Sequence, residues 1–206
     1  MVAITSEPDA TIPAPGAAPP STVAVTTVPV PTLADEVSGR WTVGRGSQAR
    51  YHIDDTILGQ TAEVVGSTSD VTGSMDVVGT TVQAATAVVN MQSVRCGCVH
   101  DSKYHDLLDT DVHPTSTFEL TTPIDLARIP GEGEVIEVPV TGRFTIHGTT
   151  RSVSFTVSAL REAGRVAVHG TIPVRLEDYN IENPSAGALG GLSNAFIELL
   201  IAFERA

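Results

Sequence analysis

Basic charge is scarce in this sequence. Of 206 residues, 12 are Lys or Arg against 24 Asp or Glu, a formal charge of −12, and Lys103 is the one lysine. Phosphate backbones are neutralised by clustered Lys and Arg, so nucleic acid is excluded as the main partner. Charge-driven docking on anionic lipid heads is excluded for the same reason. Aromatic residues make up only 4%, too few for a platform that stacks single-stranded bases. Long apolar runs are missing too. The longest, Phe196 to Phe203, is interrupted by Glu198, whereas a spanning helix needs roughly 20 such residues. No basic residue precedes Arg40, so the positive start of an export signal is not seen. Two expectations follow: a cytoplasmic protein, or one whose export segment lies upstream of this chain.

Catalytic signatures are lacking as well. There is no G-x-S-x-G elbow, no H-E-x-x-H and no phosphate loop. The pairs His100-Asp101 and His105-Asp106 are adjacent in sequence, which does not orient them as a dyad. The expectation is a binding protein, not an enzyme.

What is present falls into two parts. Seven of the 13 prolines lie between Pro8 and Pro31. Proline fixes φ and removes a donor, so residues 1–38 are predicted to be a disordered Pro/Ala/Thr-rich tail or stalk, extended and without helix. The folded domain is predicted for residues 39–206. There the dominant period is two: Val153, Phe155 and Val157 alternate with Ser152, Ser154, Thr156 and Ser158, the mark of half-buried strands. Val166, Val168, Ile172 and Val174 repeat it. Turn signals stand at Gly79-Thr80, His147-Gly148-Thr149 and Ala163-Gly164. About eight strands are predicted, near 41–54, 61–68, 70–78, 81–91, 115–122, 134–147, 151–161 and 165–176, with a ninth apolar segment at 194–205. Short connections suggest an antiparallel meander, and such a sheet removes its edges by closing into a barrel. Tyr104, Leu107 and Leu108 stand at helical spacing before Pro114, which predicts a short helix across the barrel mouth.

These residues resemble the YceI-like family. The resemblance starts at Gly59-Gln60 and Val65-Gly66-Ser67-Thr68-Ser69-Asp70-Val71-Thr72-Gly73. It continues through Val89-Asn90-Met91, Asp101 and His113-Pro114-Thr115-Ser116-Thr117-Phe118. It is strongest at Thr141-Gly142-Arg143-Phe144-Thr145-Ile146-His147-Gly148-Thr149-Thr150-Arg151, and ends with Asp178-Tyr179-Asn180-Ile181, Asn183-Pro184-Ser185 and Glu198. It implies an all-β, antiparallel, eight-stranded lipocalin-like barrel with a long internal tunnel for a polyisoprenoid. It also implies an exported or cell-envelope protein and allows a homodimer. Our sequence departs from the family pattern at His100, where an arginine is common, and at Ser193-Asn194-Ala195, in place of Asp-His-Gly.

Candidate sites follow. Tyr51, Ile53, Val88, Phe118, Phe144, Phe155, Val157, Ile172 and Phe196 are expected to line the interior and bind the lipid. Glu198, inside an apolar strand, is either paired with an arginine such as Arg143 or Arg175 or is a polar anchor at the mouth, because an unpaired buried carboxylate is costly. His147 reads as a hydrogen-bonding fixture of its turn. Cys96, Cys98 and His100 form a C-x-C-x-H run. In an extended segment, positions i and i+2 share a face about 6.6 Å apart, so two thiolates and an imidazole converge on a soft metal. A disulfide between i and i+2 is expected to be strained and not structural. The expected function is binding, carriage or storage of an amphipathic isoprenoid lipid, with no other cofactor. The alternatives are a metal- or haem-related protein built on the cysteine run, or a ligand-free scaffold contacting envelope proteins.

Overall fold

The computed structural model describes residues 32–57, 60–98, 101–182 and 195–206. Eleven strands are found among the described residues: β1 Gly39–Val43, β2 Gln48–Ile57, β3 Gln60–Thr68, β4 Val71–Val78, β5 Thr81–Asn90, β6 Thr115–Leu120, β7 Ile124–Asp125, β8 Val135–Ile146, β9 Thr149–Glu162, β10 Arg165–Val174 and β11 Ala195–Arg205. Two short α-helices are described with them, α1 Leu33–Val37 before β1 and α2 Asp101–Leu107 between β5 and β6. All strand pairs are antiparallel, and β1, β4, β5, β6, β8, β9, β10 and β11 close into an eight-stranded barrel through the β1–β11 pairing.

The closing seam explains why the strand predicted over 41–54 is two. The lower half of β11 pairs with β2, Ala195 opposite Ile53 through Leu200 opposite Gln48. Its last residues pair with β1, Phe203 opposite Val43 through Arg205 opposite Trp41. Between them the chain kinks at residues 44–47, and Ser47 substitutes for the missing rung: the Ala202 amide donates to its Oγ at 3.0 Å. The break lets β1 join β4 while β2 pairs with β3 as an appended hairpin.

The hairpin turns fall where the sequence places them. His147-Gly148 and Ala163-Gly164 all have positive φ, from 50° to 73°, the two-residue turn whose twist matches that of the flanking strands. α2 also forms as expected, with Tyr104 and Leu108 buried and the Tyr104 ring 5.6 Å from that of Tyr51. The helix α1 was not expected, since residues 33–37 read as extended tail. Proline stops at Pro31, and Thr32 and Asp35 form a reciprocal capping box, which satisfies amides that would otherwise be orphaned. Arg205 then donates to the carbonyls of Glu36 and Ser38, and the Trp41 indole donates to the Val37 carbonyl at 2.9 Å.

Inside the barrel, Gly142 on β8 lies beneath the ring of Phe118. A Cβ there would stand 2.4 Å from Phe118 Cζ and 2.5 Å from the Glu119 carbonyl oxygen. The carbonyl is fixed in the β6–β8 ladder and cannot give way. Gly142→Ala is therefore expected to destabilise the domain by about 1–3 kcal/mol through overpacking, measured by urea denaturation.

Candidate functional site

Two cavities of unequal size lie in the barrel interior among the described residues. The larger, about 170 Å³, occupies the half lined by Trp41, Met75, Leu120, Val138, Phe155, Val157, Ile201 and Phe203. The smaller, about 30 Å³, lies toward α2 and is lined by Tyr51, Val89, Phe144, Ile146 and Ile197. Phe118, Ala87 and Leu199 border both, so they form the partition. The Phe118 and Phe155 rings meet edge to face at 5.4 Å. Gly170 makes room for Phe155, since a Cβ there would lie 3.2 Å from its ring and 2.8 Å from Val157. The hollow is thus discontinuous, unlike the long tunnel implied by the resemblance. The α2 half is filled because Tyr51, Phe144 and Tyr104 are all buried there.

Among the described residues, one charged side chain lines the larger cavity, that of Arg161. It shares strand parity with Phe155, Val157 and Ala159, so its side chain is directed inward at the end of β9. Its Nε is buried without a hydrogen-bond partner. The wall beside this end is open. The β6–β8 ladder stops at Leu120 opposite Gly142, with one further bond from the Thr121 amide to Thr141 O at 3.1 Å. Beyond it, β7 pairs with β5, and among the described residues no ladder joins β7 to β8. A cleft of about 540 Å³ occupies this gap. Ile124, Leu126, Pro130, Ile136 and Val138 border both the cleft and the larger cavity. The cleft's rim is held by Glu134, which accepts from Arg128 and from the Gly131 amide at 2.9 Å. The bonds from Arg128 and then from Gly131 draw its carboxyl down to about 2.

The expected lining residues divide three ways. Phe118, Phe155 and Val157 line the larger cavity; Tyr51, Phe118 and Phe144 line the smaller. Ile53 and Ile172 are buried in the core and border neither. Val88 and Phe196 are corrections, because both face outward. In β5 the register with β4 slips between Asp76–Ala84 and Val77–Val82, so Gln83 is an extra residue. Such a bulge inverts the parity of everything beyond it: Val82 is inward, and so are Ala87 and Val89, with Val88 between them outside. Phe196 stacks on His52 at 4.3 Å on the outer surface, because Ala195, Leu199, Ile201 and Phe203 take the inward positions of β11. Missed by the sequence reading were Arg161 and the cleft; the alternation through Ala159 was the available signal for the arginine.

The cysteine run also differs from expectation. Cys96 and Cys98 are joined in a disulfide, in which neither sulfur is a thiolate, so the pair offers no soft-metal ligands in this form. His100 lies outside the described residues. Asp101 caps the loop, accepting from the Cys96 amide at 2.8 Å.

A family model for the YceI-like domain matches residues 41–203. The chain belongs to the YceI-like family. No curated protein matches it. Among solved structures, a polyisoprenoid binding domain from Saccharophagus degradans, implicated in plant cell wall breakdown, is similar at TM-score 0.65 and 17% identity, covering 81% of this chain and 98% of that one. BcnA of Burkholderia cenocepacia is similar at TM-score 0.60 and 15% identity, covering 76% and 95%. The YCEI protein of Campylobacter jejuni is similar at TM-score 0.55 and 14% identity, covering 71% and 88%. At these identities the structural likeness shows a shared fold.

In this YceI-like domain the strongest motif, residues 141–151, is the β8–β9 hairpin: Gly142 seats Phe118, Phe144 is buried, and His147 turns the chain. The departure at residues 193–194 lies outside the described residues. Glu198 is paired, as one expectation held, but on the outer face and with other partners. It meets Arg50 at 3.2 Å, His169 at 3.0 Å and His52 at 3.4 Å. The hydrogen bonds from His169 and Arg50, with the His52 ring close by, hold its carboxyl below the usual carboxylate value despite partial burial. A depressed carboxyl stabilises the fold above its unfolded value near 4.5 and loses that contribution as the pH falls through its folded value. Glu198→Gln is expected to cost about 1 kcal/mol at pH 7 and progressively less as the pH is lowered below 4.5, measured by denaturant titration across that range.

Proposed function

We propose that the protein binds an amphipathic isoprenoid-type lipid, with apolar tail in the larger cavity and an anionic head at Arg161. The observation that carries this reading is a carbon-lined hollow with a single guanidinium at its rim. Burial of each CH₂ contributes roughly 0.8 kcal/mol, so affinity comes from the tail, whereas a charge-assisted bond at Arg161 adds selectivity for the head. The similarity to a solved polyisoprenoid binding domain supports the same ligand class.

The size of the hollow sets a condition. At about 170 Å³ it is close to cavities of roughly 150 Å³ that accept a single benzene. A tail of many isoprene units must therefore continue elsewhere. The cleft between β7 and β8 offers that course, since it shares five apolar residues with the cavity. Swinging of the Phe118 ring is the other route, joining the two hollows. The role is sequestration or carriage of the lipid, without chemistry on it. We place the protein outside the cytoplasm, in the cell envelope; the Cys96–Cys98 disulfide supports an oxidising compartment.

Native mass spectrometry after incubation with isoprenyl phosphates of graded length tests the reading. The wild type is expected to retain one lipid. Ala85→Phe, which fills the cavity from β5, should weaken uptake tenfold or more while thermal unfolding shows a folded protein. Arg161→Met should weaken isoprenyl phosphate by roughly tenfold and leave the neutral isoprenol unchanged. A wild type that retains no isoprenoid, or uptake undiminished in Ala85→Phe, would overturn it.

A further inference from the structure

A second cluster of polar side chains lies at the end of the barrel remote from the larger cavity. Along β8 the cavity residues Ile136–Val140 come first, Phe144 and Ile146 follow at the smaller hollow, and His147 stands beyond them. There His147, His113 and Asp109 each present a ligand atom, and all three atoms lie within 4.8 Å of one another. Each residue is half-buried.

We propose that Asp109, His113 and His147 form a binding site for a divalent zinc-like metal ion, clasping the loop after α2 to the β8–β9 hairpin. Three observations carry it. First, His147 Nδ1 stands 3.1 Å from the Tyr179 carbonyl oxygen. A carbonyl only accepts, so Nδ1 carries the proton and Nε2 is left with its lone pair free. This is the arrangement by which a ligating histidine is fixed in tautomer and direction. Second, neither the His113 ring nor the Asp109 carboxylate makes a hydrogen bond among the described residues. The His113 ring is instead held edge-on to His147 at 5.1 Å. It sits over Gly148, where a Cβ would lie 2.5 Å from its Cε1. Third, backbone geometry aims the loop: Asp109 has φ 45°, and its carbonyl accepts from the His113 amide at 2.8 Å.

The donor set narrows the ion to a divalent transition metal, zinc or iron(II). Two imidazoles and one carboxylate suit zinc, with one position left for water. Zinc–nitrogen bonds of about 2.0–2.1 Å put tetrahedral donors about 3.4 Å apart, so atoms that lie within 4.8 Å of one another need contract by at most about 1.4 Å, within reach of side-chain rotation. The net charge of −12 favours accumulation of any cation at the surface. This site is separate from the disulfide-bonded Cys96 and Cys98, and it does not depend on the lipid reading.

The test uses the full chain without an affinity tag, stripped with a chelator and titrated with zinc chloride by equilibrium dialysis and metal analysis. The expected result is one zinc per chain with a Kd of about 1 μM or tighter, and a melting temperature that rises with zinc. His113→Gln and Asp109→Asn should each weaken binding tenfold or more. Their zinc-free melting temperatures should stay near wild type, since neither side chain makes a hydrogen bond to lose. A Cys96→Ser/Cys98→Ser double variant should bind as the wild type does. Less than a tenth of an equivalent bound at about 100 μM zinc, binding indifferent to both Asp109→Asn and His113→Gln, or binding lost in the cysteine double variant would each overturn the proposal.

Discussion

The structure depends on one shared edge. β11 is paired along one side with β10 over its whole central length, and along the other with β2 and then β1. That second pairing turns a sheet into a ring. A ring has no unpaired edge to protect, but it imposes a strict condition. Every strand must present a largely apolar face inward, because the enclosed volume has little water to solvate an unpaired polar group. The kink at residues 44–47, with Ser47 Oγ accepting where a backbone carbonyl is missing, is the device that lets one long segment serve both the ring and the appended β2–β3 hairpin.

The same condition shapes the hollow. Slim residues alone would leave a wider bore. The rings of Phe118 and Phe155 divide it, and glycines opposite them, Gly142 and Gly170, allow them to lie inside the wall. What remains is an apolar chamber near the β7–β8 gap and an almost filled one beneath α2. The position of Arg161 at the rim follows from simple alternation along β9. Its unpartnered Nε is tolerable only near a boundary, where an anionic group or water can reach the rest of the guanidinium.

Polar chemistry is therefore pushed to the ends and the outer face. Glu198 lies within an apolar stretch of sequence yet on the outer surface, bonded by Arg50 from β2 and His169 from β10, the strands on either side of it. The histidines of the α2 end, His113 and His147, come from segments 34 residues apart in the numbering and meet because the β6 start and the β8 end lie at one rim.

Sequence by itself determined the class of fold, the turns and the short helix α2, because each depends on neighbours within a few residues: period-two alternation, His147-Gly148 and Ala163-Gly164 with their positive φ, and the Tyr104–Leu108 spacing. It also determined the family, through motifs spread over the domain. Residue facing was legible only where a strand is regular. It held for Phe155 and Val157 and failed at Val88, since a one-residue bulge at Gln83 is set by pairing with β4 and leaves no mark in β5 itself. The helix α1 was hidden by the proline-rich composition before it, although Thr32 and Asp35 were there to cap it. The cavity volumes, the β7–β8 gap and the meeting of Asp109, His113 and His147 were decided by tertiary structure alone. Each depends on distances between segments remote in the chain, and local sequence carries no term for such distances.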